Sequence, residues 1–207
     1  MSAPVYLLAT RSEGKLRELR PLFEAAGIRV VSLDEAGILE SADEEGIESF
    51  ATFEENALAK ARWFHERSGG LPAIADDSGL VVDALAGAPG VHSRRWSGDA
   101  GLTGRALDEA NNVKLLSSLE GAADRRARYV CAAALADTAG ELVRYGETEG
   151  EILQQRSHGV HGFGYDPFFH SSELGRSFSE ASLEEKERVS HRGRAFRALI
   201  EAMRGRA

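Results

Sequence analysis

An apolar run, Val5-Tyr6-Leu7-Leu8-Ala9, gives way to the polar Thr10-Arg11-Ser12 and then to a helical period of Leu16, Leu19, Leu22, Phe23 and Ala26. A run of this length reads as a buried strand, and residues spaced three and four apart share a helix face. The chain therefore opens as strand, polar turn, helix, with Ser12 as N-cap and Gly27 as the stop. That unit points to an α/β fold.

The rest of the chain extends the pattern. Residues 28–31 read as a second strand, and the acidic stretch 34–48, which has no period, reads as loop. Thr52-Phe53-Glu54-Glu55 has the capping-box spacing, and Phe53, Ala57, Lys60, Ala61 and Phe64 continue it as a helix ending near Ser68-Gly69-Gly70. Apolar residues 71–75 and 80–82 flank Asp76-Asp77-Ser78-Gly79, which predicts two acids at a strand end or tight turn. Strand ends and their loops are where open α/β sheets place ligands.

Leu107, Ala110, Val113, Leu116 and Leu119 predict a further amphipathic helix, and residues 128–136 and 141–149 predict a hairpin about Asp137-Thr138-Ala139-Gly140. Residues 159–167 form a Gly-rich loop. Ser182-Leu183-Glu184-Glu185 caps a short helix through Lys186, Ser190-His191-Arg192-Gly193 breaks it, and a last helix spans about 194–203. No repeat, low-complexity tract or linker divides the chain, so residues 1–207 read as one domain.

Composition narrows the function. With 43% hydrophobic residues the chain can build a real core. Its 25 basic residues against 33 acidic ones leave a formal charge of −8, and the basic residues are scattered, which argues against a general nucleic-acid binder. A polyanionic small ligand stays compatible, because a few cations in one site and a divalent metal offset its charge locally. Cys131 is the only cysteine and lies in an apolar run, where a buried thiol is expected. No basic leader and no apolar run near the ~20 residues of a membrane span are seen. A cytoplasmic protein with no membrane partner is expected.

Five constellations carry candidate chemistry. Thr10-Arg11-Ser12-Glu13-Gly14-Lys15, at a helix start, suits a phosphate cradle, although it lacks the glycine spacing of a Walker A loop; an ordinary capped helix is the competing reading. Asp76-Asp77-Ser78, with Glu48, Glu55 and Lys60 upstream, suits magnesium, which takes one or two carboxylates and fills its octahedron with water and substrate oxygens; one aspartate would orient or deprotonate water. Turn chemistry alone is the alternative. Gly162-Phe163-Gly164-Tyr165-Asp166-Pro167 would set aromatic rings and backbone groups against a purine, with stacking worth roughly 1–3 kcal/mol per base. Lys186 would bind phosphate, and His191-Arg192 would reach a base or phosphate edge, unless both are plain surface. The histidines have no zinc-ligand spacing.

Taken in this order, the segments resemble the inosine/xanthosine triphosphate pyrophosphatase family, the RdgB-type house-cleaning enzymes that remove deaminated purine nucleotides. The matching stretches are residues 8–15, Thr52-Phe53-Glu54-Glu55-Asn56-Ala57 with Lys60, residues 74–80, Gly87-Ala88-Pro89-Gly90, residues 162–167 and Ser190-His191-Arg192-Gly193. The resemblance implies a long, twisted mixed sheet flanked by helices, two lobes with a central cleft, and a homodimer. It implies Mg2+ and the substrates dITP, ITP and XTP.

By the same resemblance Asp77 is the catalytic acid serving metal and water, Glu48 a second metal-side carboxylate and Ser78 a substrate contact. Thr10, Arg11, Ser12, Glu13, Gly14 and Lys15, with Lys60 and Lys186, would hold phosphates. Phe163, Gly164, Tyr165, Asp166, His191 and Arg192 would enclose the base. Two departures stand out: the family's Thr-Gly-Asn is Thr10-Arg11-Ser12 here, and its Tyr-Ser-Ala-Arg-Tyr is His92-Ser93-Arg94-Arg95-Trp96. The competing readings are a pyrimidine-nucleotide pyrophosphatase, a non-catalytic nucleotide sensor and a nucleic-acid module.

Overall fold

A computed structural model describes residues 4–206; residues 1–3 and 207, which the single-domain expectation includes, lie outside the described residues. Along the chain run β1 (Val5–Leu8), α1 (Glu13–Ala25), β2 (Arg29–Ser32), α2 (Phe53–Arg67), β3 (Ala73–Val82), α3 (Gly104–Ser118), β4 (Arg126–Asp137), β5 (Gly140–Ile152), β6 (Phe169–Ser171), β7 (Arg176–Ser177), α4 (Leu183–Val189) and α5 (His191–Arg204). The strands form one sheet in the order β2-β1-β3-β4-β5-β6-β7. It is mixed: β1 runs parallel to β2 (Leu7 opposite Val31) and to β3 (Leu8 opposite Ile74), while β6 is antiparallel to β5 and β7. Parallel neighbours need a crossover, which α1 supplies between β1 and β2.

Local chemistry explains the helix ends. The Ser12 side chain accepts from the Lys15 amide at the start of α1, and beyond its last turn Gly27 adopts a positive φ of 73°. Both predicted capping sites form: the Glu55 amide donates to Thr52 Oγ1 at 3.2 Å, and the Glu185 amide donates to Ser182 Oγ at 3.2 Å.

The chain divides into two compact units, residues 1–77, 131–146 and 192–207 in the first and residues 78–130 and 147–191 in the second. In the first, strand alternation sorts the core into two faces. Leu7, Ala73, Ala75, Ala132, Ala134 and Ala136 pack with Ala57, Ala61 and Phe64 of α2. Leu8, Ile74, Cys131, Ala133 and Leu135 pack with Leu19 and Phe23 of α1 and with Phe196, Leu199 and Met203 of α5. Phe23 and Phe196 meet edge to face, centroids 5.9 Å apart.

The second unit closes on Leu80, Val82, Tyr129, Ile152, Phe168, Phe169 and Phe178, with Leu115 and Leu119 at the C-terminal end of α3 and just beyond it. No helix among the described residues is long and apolar enough to cross a membrane.

Two expectations are corrected, and two short strands come in addition. Asp76-Asp77-Ser78-Gly79 is not a turn but the middle of β3, a strand that lies between β1 and β4 and whose Asp76 carbonyl is taken by Lys15 and Lys60, so tertiary contacts override local turn preference. The last helix starts at His191, not Arg194: Ser190 alone leaves helical geometry, with ψ 150°. β6 and β7 were not read, since strands of three and two residues are too short to show alternation.

Phe196 is fully buried between α1 and the sheet. Phe196→Ala is expected to cost ~3–5 kcal/mol of stability. Urea unfolding of the two proteins checks this.

Candidate active site

Alternation along β3 sends adjacent acids to opposite faces, and the first unit treats them differently. Asp76, 1% exposed, pairs through Oδ2 with Lys15 Nζ at 3.0 Å and Arg192 Nε at 3.3 Å. Its backbone carbonyl accepts from Lys15 Nζ at 3.3 Å and from Lys60 Nζ at 2.6 Å. Lys60 also pairs with Glu48. Asp77 faces α2, where Asn56 Nδ2 donates to its Oδ2 at 2.9 Å. One carbonyl on β3 therefore gathers the ammonium groups of α1 and α2.

The titration of the group follows from its charges. Burial pushes the Asp76 carboxyl up, but Lys15, Arg192 and Lys60 outweigh it and hold Asp76 well below the usual carboxylate range. Burial raises the Glu48 carboxyl too, and Lys60 and Lys15 bring it net below its ordinary value. Asp77 ends above its ordinary value, because burial and the nearby Glu48 charge exceed the pull of the lysines. For Lys60, burial opposes the charge while Glu48 and Asp76 more than restore it.

Two arginines predicted as substrate contacts are engaged within this unit. Arg192 is 4% exposed and also donates to Glu18 at 2.5 Å, linking α5 to α1. Arg11 donates to Glu44 at 2.8 Å, to Asp34 at 3.3 Å and to the Ile38 carbonyl at 2.9 Å, anchoring the irregular 34–44 segment. Among the described residues the non-glycine with positive φ is Ala86, so Arg11 needs no glycine-like backbone. In the same turn Thr10 Oγ1 accepts the Ser12 amide at 3.1 Å, while Glu13 is exposed and Gly14 half-buried in the first turn of α1.

In the second unit the Gly-rich loop is held from several sides. Asp166 Oδ2 accepts from Lys186 Nζ at 2.6 Å and from the Phe163 amide at 2.8 Å. Lys186 Nζ lies 5.1 Å from the Phe163 ring centroid. Gly162 has φ 77°, and a Cβ there would collide with the Asp166 carboxylate, so this position requires glycine. The Gly164 amide donates to Asp108, its carbonyl accepts from Asn112, and Tyr165 hydroxyl donates to the Ser93 carbonyl at 2.7 Å. His191 stacks on Tyr129 at 4.5 Å between centroids. Ser78 follows Asp77 on β3 and is half-buried.

Sequence reasoning missed Asn56, Asp108, Asn112 and Tyr129. A signal existed for the asparagines: Asn is a poor helix former, and one kept inside a helix usually has a backbone or side-chain partner. Asp108 and Tyr129 carried none.

No group of three or more His, Cys, Asp or Glu suited to a metal occurs among the described residues. The Glu48 charge helps to raise the Asp77 carboxyl, and both side chains present hard oxygen donors. Two carboxylates fit Mg2+, which keeps water and substrate oxygens in its shell, better than a fully proteinaceous cage.

Fold and site together define the class: an α/β protein in which lysines from two helices meet buried carboxylates on an inner strand. The chain belongs to the Ham1 family, whose model it matches over residues 6–202. It is 46% identical over 200 residues to a dITP/XTP pyrophosphatase of Syntrophobacter fumaroxidans, covering 96% of this chain and 82% of that one. A dITP/XTP pyrophosphatase of Burkholderia pseudomallei is 48% identical over 197 residues, 94% of this chain and 90% of the relative.

Among solved structures, a HAM1 protein from Coxiella burnetii superposes with a TM-score of 0.81 at 33% identity, covering 99% of this chain and 100% of that one. The nucleoside-triphosphatase / dITP/XTP pyrophosphatase from Mycobacterium abscessus gives 0.69 at 41% identity, covering 94% and 97%.

Removing one partner of a buried ion pair strands the other. Arg192→Leu is therefore expected to lower folding stability by ~3–5 kcal/mol. Denaturant unfolding measures it, and a variant as stable as wild type would return Arg192 to a purely substrate-contacting role.

Proposed function

We propose that this chain hydrolyses the deaminated purine nucleoside triphosphates dITP, ITP and XTP to the monophosphate and pyrophosphate. The observation that carries the reading is the meeting of Lys15 and Lys60 at the Asp76 carbonyl, in the same unit as the carboxylates of Glu48 and Asp77. The names of the dITP/XTP pyrophosphatase relatives, at about the same length, support it.

In this reading Lys15 and Lys60 hold phosphate oxygens, with Thr10, Ser12, Glu13 and Gly14 shaping the turn and its backbone donors. Ser78 contacts substrate beside the catalytic acid. Mg2+, carried by Glu48 and Asp77 together with phosphate oxygens, would neutralise phosphate charge and make a water more acidic. Asp77 orients the attacking water and receives its proton. The water oxygen bonds to the α-phosphorus as the bond to the bridging oxygen breaks, and pyrophosphate leaves with that electron pair. Lys15 and Lys60 stabilise the charge that spreads over the departing phosphates.

Phe163, Gly164, Tyr165, Asp166 and His191 form the base-recognition set, and Lys186 holds a phosphate oxygen. Hypoxanthine and xanthine carry a carbonyl at position 6 where adenine carries an amino group. Donors built for that oxygen are left unpaired by adenine, a mismatch that discriminates by roughly 10⁴–10⁵. Arg11 and Arg192 serve this site by holding its elements in place. The same reading makes the protein one catalytic domain acting as a cytoplasmic homodimer.

Product analysis on a nucleotide panel is the direct test: pyrophosphate and monophosphate are expected from dITP, ITP and XTP with Mg2+. Equal or faster turnover of dTTP or dUTP would favour a pyrimidine enzyme instead. Asp77→Asn is expected to lower kcat by at least ~10²–10⁴ with an unchanged melting curve. Lys15→Ala is expected to raise KM about 10–100-fold, the loss of one charge-assisted contact. An unchanged KM would remove Lys15 from the phosphate cradle.

A further inference from the structure

Asn56 has no part in the chemistry above, yet it is 1% exposed and hydrogen-bonded at both ends of its amide. Nδ2 donates to Asp77 Oδ2 at 2.9 Å and to the Phe50 carbonyl at 3.3 Å, and Oδ1 accepts the Phe50 amide at 2.8 Å. A buried position on α2 would ordinarily favour an apolar side chain, since asparagine is a weak helix former. Its presence there calls for a reason beyond packing.

The partners supply one. Asp77 is the acid on β3, and Phe50 lies two residues beyond Glu48 in a segment without regular structure. Gripping both the amide and the carbonyl of Phe50 fixes the peptide planes on either side of it, leaving Ser49 as the single residue between that clamp and Glu48. From the other side Lys60, one helical turn along α2, pairs with Glu48. We propose that Asn56 is a positioning residue that sets the Asp77 and Glu48 carboxylates for one divalent cation; this rests on the functional reading above.

A neutral amide suits the task. An aspartate at this place would repel Asp77. The amide donates one hydrogen bond to one carboxylate oxygen and leaves the charge in place. Groups that orient metal-side ligands in this way typically change metal affinity or activity 10–100-fold when lost.

The test compares wild type with Asn56→Ser, which is small and polar but falls short of Asp77, and with Asn56→Leu, which fills the space without polar atoms. Should Asn56→Leu fail to fold, Asn56→Ser provides the same comparison. Mn2+ binding to the substrate-free protein is read from the loss of the free-ion electron paramagnetic resonance signal, and turnover is read on dITP with Mg2+. Mn2+ affinity and kcat are each expected to fall ~10–100-fold, with KM for dITP changed less than about threefold.

In an Asp77→Asn background the Asn56 substitution is expected to cause a smaller loss of Mn2+ affinity than in wild type, because only the arm through Phe50 to Glu48 remains. Unchanged Mn2+ affinity in a folded Asn56→Ser protein would overturn the proposal, as would losses that simply multiply in the double variant. If wild type releases no pyrophosphate from dITP, the functional reading falls, while the Mn2+ comparison still decides the role of Asn56.

Discussion

A buried carboxylate in the middle of a sheet sets the terms for the first unit. Stripping water from an ion costs several kcal/mol even after relaxation, and the cost is recovered only where counter-charges and hydrogen bonds meet it with good geometry. Asp76 finds Lys15 at 3.0 Å from α1 and Arg192 at 3.3 Å from α5, with the Cys131 thiol at 3.8 Å. Arg192 then returns to α1 through Glu18. The charge cannot be left alone, so α1, α5 and β3 are constrained to one arrangement. The neighbouring Cys131 is a consequence: burial and the Asp76 charge push its thiol well above the ordinary value, which makes it inert packing.

The same constraint prepares the chemistry. Lys15 and Lys60 are held by acceptors on β3 and have already lost much of their rotamer freedom, which in the proposed function lowers the cost of binding an anion. Sites on helices and strands hold geometry better than sites on loops, and here the acids sit on a strand while the lysines sit on helices. Glu48 is the exception, on an irregular segment, and that segment is where the extra anchors appear: Arg11 grips residues 34–44, Asn56 grips Phe50 and Lys60 grips Glu48 itself. Side-chain hydrogen bonds stand in for the ladder that an irregular segment lacks.

What the sequence disclosed follows the range of the forces involved. The opening strand, the capped helices at Ser12, Thr52 and Ser182, and the 137–140 hairpin were legible because capping, turn chemistry and periodicity act over a few residues. The pairing of Lys15 and Lys60 with acids was legible only as a set of candidate groups. The continuity of β3 through Asp76-Asp77-Ser78-Gly79 was not, since two acids and a glycine signal a turn locally, and the cations that meet Asp76 come from three helices distant in sequence. Arg192 shows the same limit: its partner Asp76 lies 116 residues away in sequence, beyond the reach of local patterns.

Arg11 shows how a departure from a family pattern can be absorbed. A glycine at a strand-to-helix turn suggests either a left-handed backbone or the close approach of a ligand, and either would forbid a long side chain. Here the turn keeps an ordinary backbone, and its hydrogen bonds are made by Thr10 and Ser12 on either side. The arginine side chain leaves the turn, and its guanidinium fork takes Glu44 through Nε and Nη2 and the Ile38 carbonyl through Nη1. A Lys at this position, with a single ammonium, would not span the same acceptors in fixed geometry. The substitution therefore moves position 11 from shaping the turn to fastening the acidic segment that leads to Glu48.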